Sequence, residues 1–191
     1  LTSGVVTGVY GGRATIQDGT GAYSGIWIDG SNVALQVGDS VDVSGTVAEN
    51  FGLTQLTSPS VTINSQGNAL PASEVLSTLA VSAEQWEGVL VQTSGVVESD
   101  ALGNNEWSVN DASGAVVLDD AGFNAIAAGL TTVGASVQVS GSVDYSFSEF
   151  KIQPRDVNDV LLYGCTSTAA DNYDAAASVD DGSCVFSGTS C

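Results

Sequence analysis

The sequence has 191 residues, no histidine and a single lysine, Lys151. The side chains most used as general bases near neutral pH are thus nearly absent. Carboxylate pairs are plentiful, but no nucleophile–base constellation can be read among them, so the chain is expected to be non-catalytic. Positive charge is just as scarce. Arg13, Lys151 and Arg155 stand against 22 Asp and Glu, for a formal net charge of -19. A surface of that sign repels phosphate backbones, so nucleic acid is not an expected partner. It also repels its own copies unless salt screens it or divalent cations neutralise part of it, which makes calcium or high ionic strength an expected companion. No apolar run reaches the roughly eighteen residues of a membrane span. Residue 1 enters directly on strand-like sequence without a charged n-region, so any signal peptide is expected to have been removed or not included.

Only three cysteines occur, at 165, 184 and 191. Cys165 and Cys184 flank a Gly- and Asp-rich stretch, a spacing that favours a disulfide and hence an oxidising, extracellular compartment. Cys191 is left over, and three fates stay open for it: a partner beyond the chain, a link to another subunit, or a free thiol.

What is present is a duplication. Thr2–Val6 (TSGVV) recurs at Thr93–Val97, and Val37–Val47 (VGDSVDVSGTV) recurs as Val133–Val143 (VGASVQVSGSV). Between these anchors Thr15–Ala22 (TIQDGTGA) matches Ser108–Ala115 (SVNDASGA), each followed by an alternating apolar stretch, Gly25–Asp29 and Ala115–Asp119. Within each copy the periodicity is two, rich in Val, Ile and Thr and broken by Gly and Asp-Gly turns, the pattern of a small antiparallel barrel. A glycine inside the first strand of each copy, Gly4 and Gly95, is expected where that strand bends or bulges. Short helices are expected at Asn124–Leu130, at Ala72–Leu79 and at Ala83–Trp86, the last with Ser82 as N-cap.

These blocks resemble the OB-type modules that accompany bacterial extracellular nucleases. The motifs are the Gly-Val-Val start, the Ile-Gln-Asp-Gly-Thr hairpin, Val-Gly-Asp-x-Val-x-Val-x-Gly-x-Val, Phe51–Leu56 and Glu87–Val91. The resemblance covers roughly residues 1–162 and implies an all-β chain of two tandem OB-like barrels. In that family the nuclease chemistry sits in a separate metal-dependent domain with no counterpart here. Residues 164–184 are similar to a Cys-flanked repeat of bacterial cell-surface proteins, distantly like thrombospondin type 3 repeats. The expected organisation is barrel one over 1–66, a connector over 67–86, barrel two over 87–163, and the acidic repeat with its tail over 164–191.

Three candidate sites follow. Asp171, Asp174, Asp180 and Asp181 lie in the loop that Cys165 and Cys184 would close, and hard oxygen ligands in a tight turn suit Ca²⁺. The other reading is a solvated acidic loop, for the full Asp-x-Asp-x-Asp-Gly ladder is absent. Tyr173 and Val179 are expected to form the core of this small module, and the disulfide to stabilise it by about 3 kcal/mol. Asp18, Asp29, Asp111, Asp119 and Asp120 read as turn-forming residues. Trp27, Trp86, Trp107, Tyr10, Tyr23, Tyr145, Phe147 and Phe150 are expected mainly in barrel cores and connector packing. The alternative is a stacking platform, and without a cationic groove it would suit a neutral glycan rather than a nucleic acid.

Third, the copies differ at their starts. Copy two runs Glu87–Gln92 ahead of Thr93, whereas copy one has only Leu1 ahead of Thr2. A barrel short of strand residues exposes an unpaired edge that invites a strand from elsewhere. Either the tail Val185–Cys191 of another copy supplies it, building a homopolymer, or the chain is a segment of a longer protein whose upstream residues do. The expected function is a structural subunit or repeat of an extracellular surface assembly, with an accessory binding module of a secreted hydrolase as the alternative.

Overall fold

The computed structural model describes residues 2–188; Cys191 and the end of the tail lie outside the described residues. The strands are β1 (Thr2–Tyr10), β2 (Arg13–Gln17), β3 (Gly25–Asp29), β4 (Ser40–Asn50), β5 (Leu53–Ser65), β6 (Glu74–Val75), β7 (Leu90–Gly103), β8 (Glu106–Asn110), β9 (Ala115–Leu118), β10 (Ser136–Ser146), β11 (Glu149–Gln153), β12 (Val160–Gly164) and β13 (Val179–Asp180). The first five close into a barrel in the order β1-β2-β3-β5-β4. Strands β7 to β11 repeat that order, and the β10–β7 pairing closes the second barrel. Both are five-stranded OB-like barrels, and the alternation seen in the sequence is what fills them. Val41 and Val43 point inward between half-buried Ser40 and Asp42, as Val137 and Val139 do in copy two.

The glycine expectation needs a correction. The β1 ladder shifts register between Val6 and Gly8, and the β7 ladder between Val97 and Ser99, beyond Gly4 and Gly95 rather than at them. Gly4 and Gly95 instead sit where the first strand crosses closely over the second. A Cβ there would lie 2.6 Å from the Gln17 carbonyl oxygen or 2.7 Å from that of Asn110. The fifth strand also diverges between copies. In copy one β5 runs unbroken past Ser58, which takes a positive φ of 49° before Pro59. In copy two Pro154 ends β11, Asp156 caps a 3-10 turn at Val157–Asp159, and β12 then rejoins β10 with Leu162 opposite Val137.

The helical expectations are corrected too. Glu74–Val75 is strand, pairing in parallel with β7, and helix α1 covers only Thr78–Val81. Its N-cap is Ser77, whose hydroxyl accepts from Ala80 N, while Ser82 closes the helix rather than starting the next one. Glu84–Trp86 is a 3-10 turn entered from Ala83 without a side-chain cap. Asn124–Leu130 makes one helical turn, with Ala128 N donating to Asn124 O, and stops at Gly129, φ 74°. Both stretches are too short to propagate a helix, and neighbouring strands compete for their backbone groups.

Cys165 and Cys184 are joined, 19 residues apart in sequence. The small module they close has no core of its own: Tyr173 is exposed, contrary to expectation, and Val179 is only half-buried. It holds on through β13, which extends the sheet of barrel two by pairing with β12, Tyr163 opposite Val179. No helix of the described residues is long and apolar enough to cross a membrane.

Candidate functional site

The two barrels are joined face to face through polar chemistry. Strands β1 and β2 and the start of β3 present Tyr10, Arg13, Thr15, Gln17 and Trp27 to barrel two. Trp27 Nε1 donates to Val143 O at 2.8 Å, and Tyr10 OH donates to Ser142 Oγ at 3.0 Å. The hydroxyls of Thr15 and Ser142 meet at 2.8 Å, and Leu90 N donates to Gln17 Oε1 at 2.8 Å. The Arg13 guanidinium lies 4.1 Å over the Trp27 ring and bridges to Asp144 at 3.0 Å. Burial pushes the Tyr10 hydroxyl up to about 12, so it stays a hydrogen-bond donor at neutral pH.

All three cations are engaged in ion pairs. Lys151 pairs with Glu106 beneath the surface of barrel two, and Arg155 pairs with Asp159 at 2.7 Å while also donating to Thr7 O. The strand face that OB barrels offer to ligands is therefore used in barrel one to hold barrel two. Trp27, Trp86, Trp107 and Tyr10 are buried; Trp86 and Trp107 belong to the core of barrel two. Tyr23 is exposed. Tyr145 and Phe150 are half-buried, and their rings meet in a tilted contact with centroids 4.7 Å apart. Phe147 stands 91% exposed on the β10–β11 hairpin, and Phe51, which pattern reading did not single out, is 92% exposed on the equivalent β4–β5 hairpin.

An open seam runs along one side of barrel one. On one side β4 pairs with β5 along its length, but on the other it pairs with β1 only from Ser40 to Val43. In copy two the equivalent pairing runs from Ser136 to Ser142, because Leu90, Val91 and Gln92 lie opposite Ser142, Gly141 and Ser140. The ladder extends one step further, with Val143 N donating to Val89 O and Gly88 N to Val143 O. The equivalents in copy one, Ser44 to Val47, have no partner on that side among the described residues. Val143 is 0% exposed and its counterpart Val47 is 65% exposed.

A cleft of about 320 Å³ opens beside this edge, lined by Ile16, Ile26, Val43, Gly45, Val47 and Leu56 among others. Their counterparts Val109, Val116, Val139, Val143 and Ile152 pack around Val89 and Val91 in the core of barrel two. The cleft is thus the volume that two valines fill in the other copy.

In the acidic loop the four carboxylates accept hydrogen bonds from nearby residues. Asp174 Oδ1 accepts from Ala176 N at 2.9 Å, Asp180 Oδ1 from Gly182 N at 2.9 Å, and Asp181 Oδ1 from Ser183 N at 2.9 Å. The Ser183 hydrogen bonds hold the Asp181 carboxyl below its usual range. Asp171 Oδ2 accepts from Ser187 N and Oγ. Asp174, Asp180 and Asp181 each serve the backbone of their own turn while Asp171 holds the tail, and among the described residues no three acidic, Cys or His side chains form a group that could hold a metal ion. Asp111, read as a turn residue, accepts from Ser113 N and from Thr78 N and Oγ1, tying α1 to barrel two.

Beyond Cys184 residues 185–188 belong to no helix or strand. Val185 N donates to Asn172 Oδ1 at 2.7 Å and Val185 O accepts from Asp171 N at 2.8 Å, so one edge of the tail is held by the loop. The Val185 and Phe186 side chains are exposed. The chain matches no protein-family model, no curated protein and no solved structure.

Proposed function

We propose that this chain is a non-catalytic structural unit of an extracellular bacterial surface assembly, in which segment 185–191 of one copy adds a strand to the open seam of barrel one in the next. The observation that carries the reading is the seam: among the described residues Ser44 to Val47 have no ladder partner on the β1 side, beside a cleft of matching position. Unpaired strand edges are templates for strand addition, and a head-to-tail contact of this kind propagates into a filament. The tail supports it by its exposed Val185 and Phe186. The disulfide fits an oxidising compartment.

Units of net charge -19 must be neutralised before they meet, so assembly requires Ca²⁺ or high ionic strength. Deletion of residues 185–191 tests the reading, with light scattering and negative-stain microscopy in Ca²⁺ and in chelator at low and high salt. The full chain is expected to form particles that grow with Ca²⁺ or salt, and the deleted chain to stay monomeric with unchanged circular dichroism. Undiminished assembly by the deleted chain refutes it.

One observation favours a second reading, an accessory glycan-binding module beside the catalytic domain of a secreted nuclease or other hydrolase. Phe51 and Phe147 stand almost fully exposed at equivalent hairpin tips, each at positive φ, 53° and 52°. Calorimetry with neutral oligosaccharides distinguishes it: heat that disappears in F51S/F147S supports this reading, and no heat from the native chain removes it.

A further inference from the structure

We infer that two copies of this chain meet head to tail through barrel one: Phe51, at the β4–β5 tip of one copy, inserts into an apolar pocket at the opposite end of barrel one in the next. This deepens the self-assembly reading and rests on it, but it uses neither the seam beside β4 nor the tail.

The pocket, of about 280 Å³, is lined by Val9, Ala14, Val33, Ala34 and Leu35, together with Arg13, Ser31 and two glycines. Comparison of the two barrels explains the opening. Ala14 lies opposite Ile28 as Trp107 lies opposite Leu118, so the two positions are equivalent. Trp107 is 1% exposed and belongs to the core of barrel two, where barrel one has only a methyl group. The connection from β3 to β4 is also the shorter one, residues 30–39 against 119–135 in copy two. The longer connection packs Phe123, Ile126 and Leu130 against the core of barrel two. Barrel one is thus short of an aromatic side chain at this end. The pocket opens at the Val9 end of β1, roughly 23 Å along the strand from Thr2, so it does not depend on where β1 starts.

The side chain that matches it stands at the other end. Strand β4 runs antiparallel to β1, Ser40 opposite Val5 and Val43 opposite Thr2, which carries the Phe51–Gly52 tip to the end of the barrel away from Val9. Phe51 is 92% exposed at φ 53°, ahead of Gly52 at φ 97°. That backbone favours Asn, Asp or Gly, so the turn itself gives no reason for a bulky ring. Phe147 occupies the equivalent tip, but Lys151 Nζ lies 5.3 Å over its ring, and among the described residues no cation covers Phe51. Charge points the same way. Arg13, in the pocket lining, has the most exposed side chain of the three cations, at 33%, and exposed Glu49 stands two residues before Phe51. Docking brings a carboxylate of one copy toward the guanidinium of the next, in molecules that otherwise repel. Tip and pocket are different surfaces of one barrel, so the contact does not close on itself and repeats into a filament.

Two variants of the full-length chain test this by sedimentation velocity at high salt. Phe51→Asn suits the turn and is expected to keep the native melting temperature or raise it. It is expected to weaken association at least about ten-fold, the share of one buried phenylalanine side chain. Ala14→Trp gives barrel one the side chain that barrel two already holds, closes the pocket, and is expected to weaken association as much. Where Ala14→Trp melts below the native chain, Ala14→Leu serves the same arm. Each variant loses one half of the contact and keeps the other, so an equimolar mixture is expected to form discrete dimers that do not grow. Native-like association of Phe51→Asn, or a mixture that stays monomeric, overturns the inference. Assembly lost on deletion of 185–191 but kept in Phe51→Asn leaves the tail as the contact and this inference wrong; the reverse leaves Phe51 standing and the tail wrong. Heat with neutral oligosaccharides that vanishes in Phe51→Asn while association holds assigns the ring to a glycan instead. A native chain that stays monomeric at every salt and Ca²⁺ concentration removes this contact and the self-assembly reading together.

Discussion

Replacing Trp27 by alanine tests whether the two barrels are one cooperative unit. The indole is 0% exposed, its ring centroid lies 5.1 Å from that of Tyr10, and Arg13 covers its face at 4.1 Å. Truncating a buried tryptophan costs about 3–5 kcal/mol. The lost hydrogen bond accounts for only about 1 kcal/mol of that, because Val143 O keeps a second donor, Gly88 N at 2.8 Å. Trp27→Phe, which keeps one ring but loses the hydrogen bond and part of the buried volume, should cost about 1–3 kcal/mol, less than Trp27→Ala.

The position of the loss matters as much as its size. Trp27 lies against barrel two, while Trp86 and Trp107 sit in the core of barrel two and report on it separately. Urea unfolding followed by the fluorescence of Trp86 and Trp107 and by circular dichroism should give coincident transitions in the native chain. In Trp27→Ala they should separate, barrel one melting first. A loss below about 1 kcal/mol, or transitions that still coincide, would refute the view that this interface couples the barrels.

Removing the disulfide with Cys165→Ser and Cys184→Ser should abolish about 3 kcal/mol of local stability. The barrels should be left intact, seen as rapid proteolysis confined to residues 166–188 with an unchanged barrel midpoint. Burial raises the Glu87 carboxyl above its usual range despite its bond from Thr54 N. Across the window from the ordinary glutamate value up to that raised value, the folded chain holds a proton the unfolded chain has released. Stability therefore falls as pH rises through it and stays lower beyond. Glu87→Gln should flatten this slope and be the more stable protein at pH 7 in a urea titration; an unchanged slope would exclude Glu87 as its source. Gly141→Ala should cost about 1–3 kcal/mol, since its Cβ would lie 2.3 Å from Gln153 O, and more than the equivalent Gly45→Ala, whose nearest atom is at 3.1 Å. Paired thermal melts decide the ranking.

Much of the fold could be read from residue order because its signals are local. Period-two alternation, the Gly and Asp turns and the repeated Val-Gly-x-Ser-Val blocks each act over a few residues, and two cysteines around an Asp-rich stretch leave few pairings open. The helical stretches failed for a complementary reason. At Glu74–Val75 a strand partner seventeen positions away, Val91, outweighs a weak local propensity. Tyr173 was misplaced because a module so small leans on its neighbour's sheet edge instead of building a core.

The inter-barrel face was invisible as sequence: Arg13, Thr15 and Gln17 look like an ordinary solvated edge, and only the docking of Ser142, Val143 and Asp144 makes them buried hydrogen-bonding partners. The seam lies between these cases. Aligning the two copies already set Ser44 to Val47 against Ser140 to Val143. That Val47 is left bare, and that Ile16, Ile26, Val43 and Leu56 line a cleft beside it, depend on residues far apart in sequence meeting around a closed barrel. Burial and cavity shape are properties of that closure, and no local pattern encodes them.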